Sequence, residues 1–415
     1  MSTFALLLVT VGVLGVGIVA VSARMRQWPL SEPLIALIAG VVLGPAVTGV
    51  IALPNIMDDP AMLYDPAEIL LAISVVGVAL RYPFSALRAQ GRRLIIMLVI
   101  VMPVMALVST GLAMGILGLS FGAALLLGTA VCPTDPVLSS SVVTGEAAER
   151  TLPEDDRQLL SLESGANDGL AFPLVLIAIA FVGPLTAADA GAEIAWQLLG
   201  ALLVGAVTGF VAAKALRLGE EHGATEDGPI LLYTILLALL VLGLAVLLNT
   251  NGVVGAFVAG LVFNLFSSGK DRRTEVQIDE VVNQFAVLPF FVVLGVMLPW
   301  AEWQRLGWAG IGLAVAVLLL RRVPAVFALM RPLHLRMPDG AYLGWFGPVG
   351  VAAVLYLVLA AERLGTDLDA RVLSVGTLIV VASTVAHGFS SAPGRAIYRT
   401  LDRAHPVSRD TGSRS

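Results

Sequence analysis

The chain has 415 residues, of which 58% are hydrophobic and 13% are charged, and its mean hydropathy is +0.91. Soluble domains carry about 25% charged residues, so this composition indicates a polytopic membrane protein. The net charge of -5 excludes the basic surface that nucleic-acid binding requires, and the single cysteine excludes a disulfide scaffold.

Apolar runs between charged or Pro/Gly-rich breaks predict an all-α protein with thirteen transmembrane helices. All but the short third run can cross about 30 Å of hydrocarbon as a helix, and no alternating strand pattern competes with this interpretation. The predicted spans lie near 2–23, 30–51, 67–80, 94–118, 120–143, 158–182, 193–213, 229–248, 251–268, 281–300, 308–330, 341–361 and 372–390.

The basic residues predict how these spans are oriented. Apart from Arg321 and Arg322, which fall inside the eleventh span, 20 of the remaining 23 Lys and Arg lie on one side of the predicted membrane. By the positive-inside rule that side is cytoplasmic, with the N-terminus outside and the C-terminus inside. The first run has no positive n-region and its arginines follow it, which favours a span over a signal peptide.

The same pattern predicts one transmembrane domain over residues 1–390, followed by a flexible, Arg-rich cytoplasmic tail over 391–415. The loops between spans are too short for a nucleotide-binding module, and the sequence contains no Gly-rich phosphate loop. Any transport is therefore expected to use ion gradients, with membrane lipid as the surroundings and neither nucleotide nor nucleic acid as a partner.

The fifth predicted span contains Thr134 and Asp135 between two prolines, Pro133 and Pro136. Proline lacks an amide hydrogen and crowds the preceding turn, so the helix is expected to break here. Opened backbone within a membrane is tolerated where it is buried or lines a cavity. A simple proline kink does not explain a carboxylate at this depth, and the break therefore favours a binding site.

The sixth predicted span carries polar residues at helical spacing. Residues four apart share a face, so Glu163 stacks with Asn167, and Ser164 stacks with Asp168. Asp135 lies 15 residues, and Asp168 14 residues, from the outer ends of their spans, which places both aspartates at one level.

Oxygen donors from Asp135, Thr134, Ser164 and Asp168 suit a small hard monovalent cation, and the sequence has no Cys/His grouping for a transition metal. The alternative is a polar contact between two helices. No cofactor is expected.

The eleventh predicted span contains Arg321 and Arg322. A charged side chain at membrane depth is energetically costly, so each arginine is expected to have a polar partner or to reach the interface. Glu163 is the natural partner of Arg322, although Arg322 facing the aspartates is an open alternative. Arg321 is expected to snorkel to the interface. His387, near the end of the last span, is expected to be interfacial.

Asp135 within Thr-Asp-Pro, followed by Glu163-Ser164 and Asn167-Asp168, resembles the cation/proton antiporters of the NhaP and NHE type, which form cation:proton antiporter family 1. The likeness continues through 251–260, 288–291 and the Arg322 helix, and covers most of the chain. It implies a homodimer of thirteen helices with inverted repeats and two broken, crossing helices. The moving core would lie near 94–182 and 308–390, with dimerisation helices among the remainder.

The resemblance also implies roles for individual residues. The Thr134 backbone, Asp135, Ser164 and Asp168 would bind the cation, while Asn167 would brace the crossing helices and Glu163 and Arg322 would support them. The Asn-Asp form of the motif implies electroneutral exchange.

One departure concerns the twelfth span, where many relatives have Gly-x-Arg-Gly and this chain has Gly347-Pro348-Val349-Gly350. Two glycines and a proline still predict a break, and a separation of seven spans inverts the twelfth span relative to the fifth. The missing arginine leaves the partner of Glu163 undecided from the family pattern.

These observations predict a secondary active antiporter of the cell membrane that exchanges Na⁺, or alternatively Li⁺ or K⁺, for protons and serves pH homeostasis. A proton and a cation would compete for Asp168, which would carry one or the other across. The alternatives are a K⁺-selective antiporter, a passive cation channel and a two-aspartate intramembrane protease. The Gly-Asp and Tyr-Asp settings expected of such a protease are absent from the sequence.

Overall fold

The computed structural model describes residues 2–25, 30–82, 84–143, 146–184, 186–222, 227–267 and 285–404, and every regular element in these ranges is helical. The predicted all-α class is therefore confirmed. The first nine helices are α1 (Thr3–Met25), α2 (Glu32–Leu43), α3 (Tyr64–Arg81), α4 (Phe84–Ile96), α5 (Met102–Leu117), α6 (Phe121–Ala130), α7 (Pro136–Val143), α8 (Glu146–Glu149) and α9 (Glu154–Val182). The next nine are α10 (Ala187–Glu221), α11 (Asp227–Leu248), α12 (Gly252–Phe266), α13 (Phe285–Val296), α14 (Trp300–Leu320), α15 (Val323–Ala328), α16 (Met337–Trp345), α17 (Val351–Leu364) and α18 (Ala370–Ala404).

Within the described ranges, seven helices are long and apolar enough to cross a membrane, and five shorter helices are also apolar. Each of the thirteen predicted spans overlaps a helix or a pair of helices. The chain is thus a multi-pass membrane protein, while the number of crossings and their orientation stay predictions. The seven long helices are Thr3–Val21, Pro60–Arg81, Ser85–Leu117, Glu154–Val182, Ala187–Glu221, Trp300–Ala328 and Ala370–Asp402.

The outer surface of the molecule is apolar where these helices are least covered. Val13 and Val16 of α1, and Leu199 and Leu203 of α10, are all exposed. Contiguous exposed apolar side chains mark surfaces that meet lipid or another protein rather than water. The apolar periphery therefore agrees with a membrane environment. The charged side chains of the predicted site, Asp135, Asp168 and Arg322 among them, are buried inside the molecule.

Two helices are interrupted at the positions predicted from Pro and Gly. We call residues 131–135, between α6 and α7, the first break, and residues 346–350, between α16 and α17, the second break. The two breaks meet, because the amide of Asp135 donates to the carbonyl of Pro348 at 2.9 Å. A further interruption at Arg321 and Arg322, between α14 and α15, was not predicted.

The first part of the predicted cytoplasmic tail is helical. Helix α18 continues to Ala404, so residues 391–404 are helical, and residues 405–415 lie outside the described ranges. Packing against the start of α16 explains the extension. The buried Tyr398 hydroxyl donates to Asp339 at 2.7 Å, and Arg336 donates to Asp402 at 2.6 Å.

Candidate cation site

The first break depends on Pro133 and Pro136, which supply no amide hydrogens to the carbonyls at the end of α6. A guanidinium group replaces the missing donors. Nη1 of Arg321 lies 2.5 Å from the carbonyl of Val131 and 3.2 Å from that of Cys132, with the Pro133 carbonyl at 3.4 Å. Backbone opened by the prolines is thus satisfied by a side chain from the end of α14.

The snorkelling position predicted for Arg321 is wrong. Its side chain is buried, with 1% of its surface exposed, and Nη2 donates to the carbonyl of Gly347 in the second break. The C-terminal end of a helix carries partial negative charge. Arg321 therefore lies where two such ends, those of α6 and α16, come together.

Asp135 lies where the two following helices, α7 and α17, begin. Its Oδ1 accepts the Leu138 amide of α7 at 3.0 Å, and its Oδ2 accepts the Val351 amide of α17. Helix N-termini carry partial positive charge and unpaired amides, so one carboxylate caps two helices. A Cβ at Gly350 would collide with the Asp135 carboxylate, so the close approach of this carboxylate to the second break favours glycine there. The structure thus gives both oxygens backbone partners, and cation binding by Asp135 stays a prediction.

Arg322 and Glu163 form a buried ion pair. Nη1 and Nη2 of Arg322 lie 2.6 and 2.7 Å from the two carboxylate oxygens of Glu163, and both side chains are 1% exposed. Nε of Arg322 also donates to the carbonyl of Leu343 in α16 at 2.9 Å. Of the two open alternatives, the structure has the Glu163 pair, which supplies Glu163 with a partner even though Val349 replaces the family arginine.

Three further predicted residues form a hydrogen-bonded network between α9 and the first break. Asn167 accepts the Thr134 amide at 3.1 Å, and its own amide group donates to the Thr134 hydroxyl at 2.8 Å and to Glu163 at 3.3 Å. The hydroxyls of Thr134 and Ser164 lie 3.0 Å apart. All four side chains are buried. Asn167 therefore holds Thr134 against α9 and ties the network to the ion pair.

Asp168 follows Asn167 and is fully buried. Neither of its carboxylate oxygens has a hydrogen-bond partner among the residues that the structure describes. A buried charge without a partner is energetically costly, so a proton or a bound cation would stabilise this carboxyl group by neutralising it. Its backbone carbonyl accepts a hydrogen bond from the hydroxyl of Tyr356 on α17. The sequence analysis did not identify Tyr356, since a tyrosine in an apolar span carries no distinguishing signal.

The interfacial position predicted for His387 is also wrong. His387 is 5% exposed, its Nε2 lies 2.9 Å from the Trp345 carbonyl at the end of α16, and its Nδ1 lies 3.1 Å from the Ser383 hydroxyl. Ser383 in turn accepts the Val349 amide at 2.8 Å. Helix α18 therefore satisfies two backbone groups at the second break, through side chains spaced one helical turn apart.

The described residues contain no group of three or more His, Cys, Asp or Glu that could hold a metal ion. Ser164 lies one helical turn before Asp168 on α9, and its hydroxyl lies 3.0 Å from that of Thr134, so the predicted ligands here are hydroxyl and carboxylate oxygens. This donor set differs from the multiple imidazole, thiolate or carboxylate ligands of resident transition metals.

Comparison with known sequences gives one family match and several similar proteins. The profile of the family described as "Sodium/hydrogen exchanger, transmembrane" matches residues 8–393. A Schizosaccharomyces pombe protein named "Probable Na(+)/H(+) antiporter" is 29% identical over 348 residues, 81% of this chain and 46% of that protein. Na(+)/H(+) antiporter 2 of Zygosaccharomyces rouxii is 28% identical in an alignment of 432 positions, which covers 94% of this chain and 53% of that protein. The chain thus spans about half the length of these two relatives.

Among solved structures, the sodium proton antiporter MjNhaP1 from Methanocaldococcus jannaschii at pH 8 has a TM-score of 0.74 to this chain at 16% sequence identity. The match covers 96% of this chain and 98% of MjNhaP1. A structure of the same protein from an electron microscopy map has a TM-score of 0.73 at 18% identity. At such low identity these matches show only a shared fold. The chemistry must be argued from the residues of this chain.

Proposed function

Because the chain belongs to the sodium/hydrogen exchanger family, we propose that it is a secondary transporter rather than an enzyme and exchanges a monovalent cation for protons. The observation that carries this proposal is the fully buried carboxyl of Asp168, whose oxygens have no hydrogen-bond partner within the described ranges. A carboxylate removed from water needs either a proton or a bound cation. The two loads therefore compete for one group.

The cation would be held by Asp168 with the hydroxyls of Ser164 and Thr134, at the break where helical backbone is open. Broken helices at membrane depth are the usual setting for coupling ions in secondary transporters. Asp135 would contribute mainly negative charge, since each of its oxygens already accepts an amide. Na⁺ is the favoured cation, because the relatives are named Na(+)/H(+) antiporters, with Li⁺ and K⁺ as the competing choices.

Counter-transport follows if the core moves only when Asp168 is neutralised. The loaded core carries the same charge with a proton as with a monovalent cation, so one cation exchanges for one proton. The membrane potential then does no net work on the cycle. The buried pair of Glu163 and Arg322 contributes no net charge to the moving part and would hold α9 to α16 throughout.

The family resemblance supports the wider organisation of this proposal. The protein would act as a homodimer in the cell membrane, with core helices near 94–182 and 308–390 moving against dimerisation helices drawn from the remainder. Exchange of this kind would serve pH homeostasis and the removal of Na⁺.

Asp168→Asn tests the proposal directly. Purified protein would be reconstituted into liposomes with a trapped pH-sensitive dye, and the initial rate would be recorded after adding Na⁺, Li⁺ or K⁺. We expect the parent to dissipate a proton gradient on cation addition, at a rate independent of an imposed membrane potential. The Asn variant should fall to the rate of empty liposomes, because an amide is not titrated in this range and binds a cation weakly.

Asp155→Asn is the matched control, since Asp155 lies exposed in the first turn of the same helix. It should exchange as the parent does. The proposal fails if the parent responds to none of the three cations, or if Asp168→Asn exchanges at the parent rate. Currents that greatly exceed coupled flux would indicate a channel instead.

A further inference from the structure

Helix α3 packs against α9 in a register that two contacts fix. Nη1 of Arg81 donates to the hydroxyl of Ser161 at 3.2 Å. About one turn along each helix, Val78 lies so close to Gly165 that a Cβ on the glycine would be 2.8 Å from Cγ1 of Val78. Residue numbers fall along α3 as they rise along α9, so the two helices run in opposite directions where they face each other.

The same register places Ser74 of α3 level with Asp168 of α9. Ser74 is four residues before Val78, and Asp168 is three residues after Gly165. Steps of three and four residues stay on one face of a helix. The facing stripes of α3 and α9 therefore carry three levels in succession, Arg81 with Ser161, Val78 with Gly165, and Ser74 with Asp168.

The Ser74 hydroxyl is buried without a partner. Ser74 is 1% exposed, and its Oγ makes no hydrogen bond to any residue that the structure describes. Several other buried hydroxyls bond to a carbonyl of their own helix, as Ser109 does to Met105 at 2.8 Å. A buried polar atom that leaves this local acceptor unused requires an explanation, and a ligand is one.

Two unsatisfied groups thus lie at one level, the Ser74 hydroxyl on α3 and the Asp168 carboxylate on α9. Hydroxyl and carboxylate oxygens are the ligands that hard cations prefer. We infer that Ser74 is a further cation ligand, which completes the site on the α3 side, opposite the ligands proposed on α9 and in the first break. The inference rests on the proposed function, because it concerns the same cation.

This role separates the two loads of the transporter. A serine hydroxyl stays neutral and takes no part in carrying the proton. Ser74 would therefore increase the affinity of the site for the cation and leave proton binding to Asp168. Its loss should weaken the cation alone.

The test compares Ser74→Ala and Ser74→Cys with Ser109→Ala as the matched control. Ser109 is a buried helical serine like Ser74, but its own helix satisfies the hydroxyl. Turnover and KM for Na⁺ would be measured in liposomes at two pH values. The melting temperature would be measured in detergent with Na⁺ and with an equal concentration of choline.

We expect Ser74→Ala to raise the KM for Na⁺ by about three- to ten-fold at unchanged turnover, since one neutral ligand is lost. The factor should be the same at both pH values, because competition by protons is not altered. Ser74→Cys should raise KM in the same way, since sulfur fills the space of the hydroxyl but is a poor ligand for a hard cation.

The melting temperatures should separate binding from folding. In choline, Ser74→Ala should melt with the parent or slightly above it, because the lost hydroxyl had no partner. The rise in melting temperature that Na⁺ gives the parent should shrink in Ser74→Ala. Ser109→Ala should keep the parent KM and the full effect of Na⁺.

The inference is overturned if either Ser74 variant keeps the parent KM, or if Ser109→Ala raises KM as much. A factor that differs between the two pH values would place Ser74 in proton binding and would also overturn it. A parent without exchange activity would defeat the proposed function instead, and the effect of Na⁺ on the melting temperatures would then still test Ser74. A parent that shows neither exchange nor this effect would overturn both.

Discussion

The two breaks resemble each other in shape but differ in how the sequence produces them. The first break contains its own helix breakers and its own charge, two prolines with Asp135 between them, although Arg321 also donates to its carbonyls. The second break contains two glycines and one proline but no charged side chain. Its backbone groups are served from elsewhere, by Arg321, by Asp135 and by Ser383 and His387 of α18.

The two breaks therefore form for different reasons, although both interrupt a helix. A proline-rich break forms wherever the chain places it, because the missing amides are a local property. A glycine-rich break is only permissive, and it becomes a defined structure when neighbouring helices supply donors and acceptors. The second break should therefore be the more sensitive of the two to substitutions in other parts of the molecule.

The largest expected effect comes from Arg322→Met. The substitution leaves Glu163 as a buried carboxylate without its guanidinium partner and removes the donor to Leu343 in α16. Removing one member of a buried ion pair costs about 3–5 kcal/mol. The free energy of unfolding, measured by denaturant titration in detergent, should fall by that amount, and hydrogen exchange should increase in α16 more than in α6.

The double variant Glu163→Gln/Arg322→Met is the control, because it removes both charges together. Replacing a whole buried pair is often nearly neutral, so the double variant should recover much of the stability lost by the single variant. Equal losses in the two variants would show that Arg322 acts through its contact with α16 rather than through charge.

A smaller effect is expected from Asp135→Asn, which tests whether one carboxylate serves both breaks. Asparagine keeps one acceptor oxygen and turns a donor group toward the second amide, so one helix N-terminus loses its cap and both lose the negative charge. The expected loss of stability is about 2 kcal/mol. Hydrogen exchange read by mass spectrometry should increase at the starts of both α7 and α17. An increase confined to α7 would mean that the second break does not depend on Asp135.

Local patterns account for what the sequence analysis predicted. Prolines and glycines marked both breaks, and helical spacing brought Ser164 and Asp168, and Glu163 and Asn167, onto neighbouring faces of α9. The Glu163 and Arg322 pair followed from the requirement that a buried charge has a partner. Each of these inferences needed only residue type, spacing and approximate depth.

The positions that the sequence analysis predicted incorrectly depend on backbone contacts rather than on local side-chain patterns. Arg321 and His387 were placed at the interface, yet both are buried and bond to backbone carbonyls. Backbone acceptors are identical in every residue, so no side-chain pattern reveals them, and Val131 is 190 residues from Arg321 along the chain. The double capping by Asp135 was missed for the same reason. The helical continuation of α18 into the predicted tail was not foreseen, because polar composition does not exclude a helix that packs through a few buried groups, such as Tyr398.

The smallest expected effect concerns this helical extension of α18, which holds the start of α16 and so supports the second break from one end. In Tyr398→Phe, Asp339 loses the hydroxyl donor at 2.7 Å, and Arg336 loses an acceptor at 2.9 Å. Asp339 keeps its two bonds to the Arg336 side chain, so the cost should be only about 1 kcal/mol, read as a lower melting temperature. A chain ending at residue 390 loses the whole contact and should melt lower still. If that shortened chain melts with the parent, the extension does not support α16, and the second break relies on Arg321, Asp135 and the body of α18 alone.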